Sequence, residues 1–562
     1  MLKTRQRAVT IAVLVVAASV VGFGGIGLAK LDSGGPAAQA GQSTNTVGAE
    51  SANATIRGAS AGDHAGAAVV DVGDVNGDGT PDVAVGAPTS DAGGNNSGAV
   101  YLFYGPVEGT NLSASNADAV LAGAQRWERA GFSVAGGDVN GDGTADLVVG
   151  APAHVRPADA PNATRNGTGN ATGTNATQNA STSGSANDSL ATGAAYVVYG
   201  GQSLSGNVSL SNADATLLGA GTNDSAGHDV ATVPNAGGGA AVAVGAPTAD
   251  SSGNDSGAVY VVSGNVSGKS RLPAAGTVLA GASSGDHAGE SVAGIGDVTG
   301  DGVPEVVVGA PRTDASGNSS GAVFIATGAL GGNASDSSLS RAIRFGGAAA
   351  GDNAGEAVAA GDVTGDGTPD VVVGAPRNDA GGFDAGTTYV ISGSRNLSDG
   401  NLASADATLV GRTSSDLSGW SLEVANASAS CGNSADLVIG APNADPRGNT
   451  TGAAYAVRSG VSNATDLSNA TTYVGAAEGD LAGDEVGIVG GANGSGAGDV
   501  LVGAPRNDAA GPNAGAAYLF AGSCDVGTSG SATGTTNATG TTTGGNVTTT
   551  DAVTNATTTG SS

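Results

Sequence analysis

Asp74, Asn76, Asp78, Thr80 and Asp82 occupy alternate positions of one nine-residue segment, Asp-Val-Asn-Gly-Asp-Gly-Thr-Pro-Asp. Alternate residues of a tight loop can turn their oxygens toward one point. A set of carboxylates, an amide and a carbonyl suits a hard cation such as calcium, which takes six to eight oxygens at about 2.3–2.6 Å. Gly79 permits the sharp turn, position seven offers a backbone carbonyl, and Asp82 closes the shell at position nine. The order is that of an EF-hand loop, which closes at position twelve instead. The pattern recurs as Asp138, Asn140, Asp142, Thr144 and Asp146, and again as Asp362, Thr364, Asp366, Thr368 and Asp370. A fourth copy has Asp297, Thr299, Asp301, Val303 and Glu305. Four copies in register predict four calcium sites, about four ions per chain. Three further positions have lost the pattern, with Val233, Ser428 and Gly491 in place of the first Asp.

The elements around these loops repeat as well. Gly-Ala-Pro after Val or Ile ends at Pro88, Pro152, Pro247, Pro311, Pro376, Pro442 and Pro505, at intervals of 63 to 66 residues except one of 95. Each repeat reads as four short strands, called A to D here. In the first, 67–72 is A, the acidic loop follows, 83–86 is B, 99–104 is C and 119–122 is D. Short β-rich runs separated by turn residues indicate an all-β design. A repeat of this kind cannot bury its apolar face alone and stacks on its neighbours. Seven copies predict a seven-bladed β-propeller with four-stranded blades. Residues 54–57 form a lone D-type strand before the first repeat, and the last repeat stops at its C strand. The N-terminal strand is therefore expected to close the ring in blade seven, removing an open edge.

The expected layout is an export segment over 1–40, a linker over 41–52, the propeller over 53–524 and a Thr/Gly-rich low-complexity tail over 525–562. Lys3, Arg5 and Arg7 precede an apolar run, 8–29, and Ala38-Gln39-Ala40 offers a cleavage site. The run is also long enough to remain as a membrane anchor. The propeller would thus be extracellular, secreted or held at the membrane by its N-terminal segment. The 95-residue interval contains a Ser/Thr/Asn/Gly insertion over about 153–192, too poor in apolar residues to build a core. It is expected to stay disordered and to carry sugars at its Asn-x-Ser/Thr sequons.

The formal net charge is -30, from 50 acids and 20 bases, and only three lysines occur. Such a surface suits very high salt, where the Debye length shrinks to about 3 Å at 1 M. The same polyanion excludes nucleic acid as a partner. Four histidines occur, and His64 and His287 share one place in two Gly-Asp-His-Ala-Gly units, which reads as turn structure. No nucleophile elbow or metal-binding His pair appears, so the chain is not expected to be an enzyme. Cys431 and Cys524 can pair in an extracellular setting or remain as two free thiols.

The unit Ala130-Gly131-Phe132-Ser133-Val134, then Asp138 to Asp146, then Val149-Gly150-Ala151-Pro152, resembles the FG-GAP repeat of integrin alpha subunits. Most copies carry Ala-Gly in place of Phe-Gly. The resemblance implies a seven-bladed propeller with calcium in its A–B loops on the lower face. It also implies adhesion or ligand binding on the upper face, with a cell-surface protein or glycan as partner. Two other readings stand beside it: a glycosylated envelope component without a discrete ligand, and a glycan-active propeller enzyme.

Overall fold

The computed structural model describes residues 46–153, 193–201, 204–234, 238–329, 338–394, 396–425, 435–458, 460–461, 463–490 and 498–522. The export segment, nearly all of the long insertion, both cysteines, the tail and parts of the three degenerate loops lie outside them. The described residues form seven sheets arranged as a β-propeller, with almost no helix.

In blade one, strand A is Ala68–Gly73, B is Asp82–Ala87, C is Ala99–Phe103 and D is Ala119–Ala122, each antiparallel to the next. Strands B and C are buried along their whole length here. A central strand covered on both faces has no solvent side, so its sequence runs Val/Ala/Leu rather than alternating with polar residues. Blades pack through these runs. Val306, Val308 and Phe324 of blade four, for example, cluster with Val259 and Val261 of blade three.

Ring closure is as the sequence predicts. Ala54–Arg57 pairs antiparallel with Ala516–Phe520, strand C of blade seven, and so supplies its strand D. The contact between blades seven and one is the same as every other. Isolated bridges join Gly98 to Ala130, Gly321 to Ala354 and, across the closure, Gly515 to Ala65.

The Gly-Ala-Pro motif has a steric reason. A Cβ on Gly86 would lie 2.2 Å from the carbonyl oxygen of Gly131 in the next blade. The same collision meets Gly150 against Gly227, Gly309 against Gly355, Gly440 against Gly483 and, through the closure, Gly503 against Gly66. Glycine is the residue that lets two backbones approach this closely. The two halves of the repeat motif therefore meet across blade boundaries, not within one blade.

The structure adds a fifth strand that the sequence reading did not foresee. Gly109–Ser113, in the C–D connection of blade one, pairs parallel with Ala54–Arg57 at the outer edge of blade seven. Gly206–Ser209 does the same for blade one, and Gly268–Arg271 for blade two. Thr46–Gly48 plays this part for blade six, pairing with Thr471–Val474. Residues 46–48 and the 3-10 turn Ala49–Ser51 thus belong to the propeller, where the sequence suggested linker. One N-terminal segment contributes to two blades, six and seven.

Candidate cation loops and the axial channel

The four acidic loops share one hydrogen-bonded frame. Asp74 accepts from the backbone N–H groups of Gly77, Asp78 and Gly79 at 2.7, 3.0 and 2.7 Å. Asp138 and Asp362 repeat the three contacts, and Asp297 accepts from Asp301 and Gly302. Position five caps position seven: Thr80, Thr144, Val303 and Thr368 donate to Asp78, Asp142, Asp301 and Asp366 at 2.8–2.9 Å. Asn76 and Asn140 donate to the carboxylates of Asp78 and Asp142. The Asn76 amide holds the Asp78 carboxyl below its usual range, and the Thr144 N–H does this for Asp142.

Position nine is different. Asp82, Asp146, Glu305 and Asp370 are fully buried at the start of strand B. Asp82 accepts from Val75 N–H at 2.9 Å and from Gly105 N–H, beyond strand C, at 2.9 Å. Asp146 accepts likewise from Val139 and Gly200. These carboxylates tie the loop to the far end of its blade. Burial raises their pKa values in spite of the N–H donors.

Loops one, two and five are also bonded to the next blade. Asp74 C=O accepts from Ala145 N–H at 3.1 Å, and Val75 C=O from Gly201 N–H at 2.7 Å. Asp138 C=O receives Ala240 N–H, and Asp362 C=O receives Ala435 N–H. Val75, Val139, Val298 and Val363 at position two are wholly buried and pin each loop to the core.

The donor set fits a divalent cation most directly in loop four. One oxygen each from Asp297, Asp301 and Glu305 lies within 4.8 Å of the others, the one such acidic group among the described residues. All the side-chain donors at the intact loops are oxygens, the ligand type of calcium and magnesium. In loops one, two and five the same residue types stand on the same backbone frame.

The first strands of all seven blades surround an axial channel of ≈ 660 Å³. Its lining includes Phe132, His228, Glu290, Glu356, Trp420 and Asp484, just before strand A of their blades, and the acids Asp71, Asp229, Glu423 and Glu485. Phe132 and His228 are 5.0 Å apart ring to ring, and His228 Nε2 lies 3.7 Å from Glu290 Oε1. Burial, then the charge of Asp71, pushes Glu423 up to about 8. Burial, then Glu290, pushes Glu356 up to about 7, and burial takes Asp484 to about 6. Folded pKa values above the unfolded ones mean stability that is complete below about pH 4 and lost as pH rises through 6–8. At fixed calcium, the melting temperature is therefore expected to fall between pH 5 and pH 8.5. Glu423→Gln should raise it at pH 8.5 and change it little at pH 5. A melting temperature that climbs over this range, or a variant less stable at pH 8.5, contradicts this reading.

Seven further acids escaped the sequence reading. Asp63, Glu128, Asp224, Asp286, Asp352, Asp416 and Asp480 occupy one position of the D–A connection, and all are buried. Most accept from a backbone N–H three residues earlier, as Asp63 does from Ser60 at 3.0 Å. The residue after each, including His64 and His287, has positive φ near 55°. The histidines are turn residues, as expected: His64 Nδ1 is 2.6 Å from Thr89 Oγ1. The signal was an acid in register in every copy.

Geometry and sequence comparison agree on the class. This chain carries FG-GAP repeats, matched over residues 66–103, 130–172, 288–325 and 354–391, and folds as a seven-bladed propeller. The four matches fall on blades one, two, four and five, the blades with intact acidic loops. Among curated relatives, mouse integrin alpha-M is 43% identical over 93 residues, 16% of this chain and 8% of that protein. Human integrin alpha-X is 45% identical over 94 residues, with the same shares. Bovine phosphatidylinositol-glycan-specific phospholipase D is 38% identical over 82 residues, 14% of this chain and 9% of that protein. The chain thus spans less than a tenth of the length of these relatives. Among the described residues, no helix is long and apolar enough to cross a membrane.

Proposed function

We propose that this chain is an extracellular adhesion or ligand-binding propeller, stabilised by calcium in its A–B loops and docking a protein partner on its upper face. Its relation to integrin alpha subunits supports the class. The antiparallel order A-B-C-D puts the A–B loops and C–D connections on the lower face, and the D–A and B–C connections on the upper. The observation that carries the face assignment is the placement of exposed apolar side chains. Trp127, 46% exposed, lies in a D–A connection, and Phe383, 68% exposed, lies in a B–C turn. Both are therefore on the upper face, and no other large apolar side chain is comparably exposed among the described residues. Exposed aromatics are the side chains that most often anchor protein interfaces. Ala153 and Gly193, the described residues that flank the long insertion, lie in a B–C connection, on the same face.

Residues 74–82, 138–146, 297–305 and 362–370 hold the ions in this reading. Bound calcium would neutralise the clustered carboxylates of each loop, while the backbone frame keeps the loop attached to the neighbouring blade. The N-terminal apolar run exports the chain and either leaves with cleavage or stays as an anchor.

The test is adhesion of protein-coated beads to cells that express the protein, in millimolar calcium. Trp127→Ala with Phe383→Ala should cut adhesion at least tenfold with the fold intact. Glu108→Ala, exposed on a lower-face connection, should not. Replacing residues 154–192 by a short turn should also alter adhesion. Loss with Glu108→Ala and none with the aromatic pair would reverse the face assignment.

A further inference from the structure

Six B–C turns are built alike, and their sequences divide them into two kinds. The turns are Gly94–Gly98, Gly253–Gly257, Gly317–Gly321, Gly382–Gly386, Gly448–Gly452 and Gly511–Gly515. In each, the third residue has φ between 47° and 51°. In each, the carbonyl of the second accepts a backbone N–H from the following D–A connection: Trp127 to Asn95 at 3.0 Å, Gly285 to Asn254 at 2.9 Å, Ser415 to Phe383 at 2.7 Å, Gly62 to Pro512 at 2.9 Å. Asn, Phe and Pro thus do the same main-chain work at this place.

The second and fourth residues nevertheless change together. Asn95, Asn254, Asn318 and Asn449 are followed two places on by Ser97, Ser256, Ser320 and Thr451. Where Phe383 or Pro512 replaces Asn, the fourth residue is Ala385 or Ala514. The turn explains the hydroxyl alone: Ser97 and Ser320 accept Gly93 and Ser316 N–H at 2.9 Å, whereas in the Ala turns Asn378 and Asn507 accept from Ala380 and Ala509, one place earlier. It does not explain the asparagine. Asn254, Asn318 and Asn449 are exposed and Asn95 half-exposed, and the one side-chain bond seen at Asn254, to the adjacent Asp255, is not repeated in the others. Asn-x-Ser/Thr, with x not Pro, is the acceptor unit for asparagine-linked sugar. Here that unit is kept or lost as a whole.

We infer that Asn95, Asn254, Asn318 and Asn449 are glycosylation sites that place four sugars on the upper face, at blades one, three, four and six. The donor is an oligosaccharide carried on a lipid phosphate. The asparagine Nδ2 forms a bond to the sugar C1 and loses a proton. The C1–O bond to the carrier breaks, and the lipid phosphate leaves as an anion. Because the folded turns bury the hydroxyls of Ser97, Ser256 and Ser320 completely, transfer precedes folding. The B–C turns of blades five and seven lack the unit, and Phe383 stands in the turn of blade five without a sugar. The inference rests on export of the chain, and not on any partner being bound.

Peptide mass mapping of the protein isolated from the cells that make it tests this, before and after chemical deglycosylation. Glycan mass is expected on all four asparagines and none on Asn513, which occupies an Ala turn. Asn318→Gln and Ser320→Ala should each remove the sugar at 318 alone. Glycan persisting at 318 in Ser320→Ala, or the four asparagines recovered unmodified, overturns the inference, whether or not the protein binds cells.

Discussion

A chain that begins at Gly58 is expected to lose soluble monomer. Residues 46–57 supply strand D of blade seven and the fifth strand of blade six. Without them, strand C of blade seven, buried throughout, becomes a bare edge. Bare edges pair with other chains. Ala54 and Ile56 are also core side chains, at 0% and 1% exposure, and belong to the cluster shared by blades seven and one. Ile56→Ala alone should cost about 2–5 kcal/mol. Glu50→Ala is the control. Its carboxylate grips Arg447 at 2.7 and 2.8 Å, but the pair is solvent-exposed, and such pairs are worth at most about 1 kcal/mol. Size-exclusion chromatography with thermal melting separates the outcomes. A truncated chain that stays monomeric with an unchanged melting point would contradict closure by this segment.

Chelation is expected to have a comparable effect. A ligand bound only by the folded state adds about 2.7 kcal/mol per site at a hundred times its dissociation constant. Four such sites would lower the melting temperature on the order of 10 °C when stripped. The loops transmit this to the ring because Asp74, Asp138 and Asp362 carbonyls receive N–H groups of the following blades. Asp301→Ala should remove one ion and a fraction of the shift. A melting curve indifferent to chelator would contradict bound calcium.

Much of the fold was legible because the repeat supplied seven readings of each element. Strands B and C show as Val/Ala runs, and the lone 54–57 strand could only belong to an incomplete blade. The fifth strands were not legible in this way. Gly109–Ser113 is polar and exposed at its start, and its partner is strand D of another blade, a pairing with no local signature. The available signal was the apolar residue in the 3-10 turn that follows. Ala114, Leu210, Leu339, Leu402 and Leu467 fill that place, each at most 1% exposed. The acidic loops were legible through their spacing. The buried role of Asp82 was not, since spacing does not reveal that Gly105 N–H waits for it. The channel acids were hidden for another reason. Asp71 and Glu423 stand at different places of their repeats, and Asp229 shares its place only with Glu485, so only ring closure brings them together.

The acidic loops decide the account, and calcium titration of dialysed, metal-free protein by calorimetry tests them most directly. About four ions per chain are expected, falling to about three in Asp301→Ala. Absence of binding in the wild-type protein, or an unchanged count in the variant, would contradict the assignment of these loops as calcium sites.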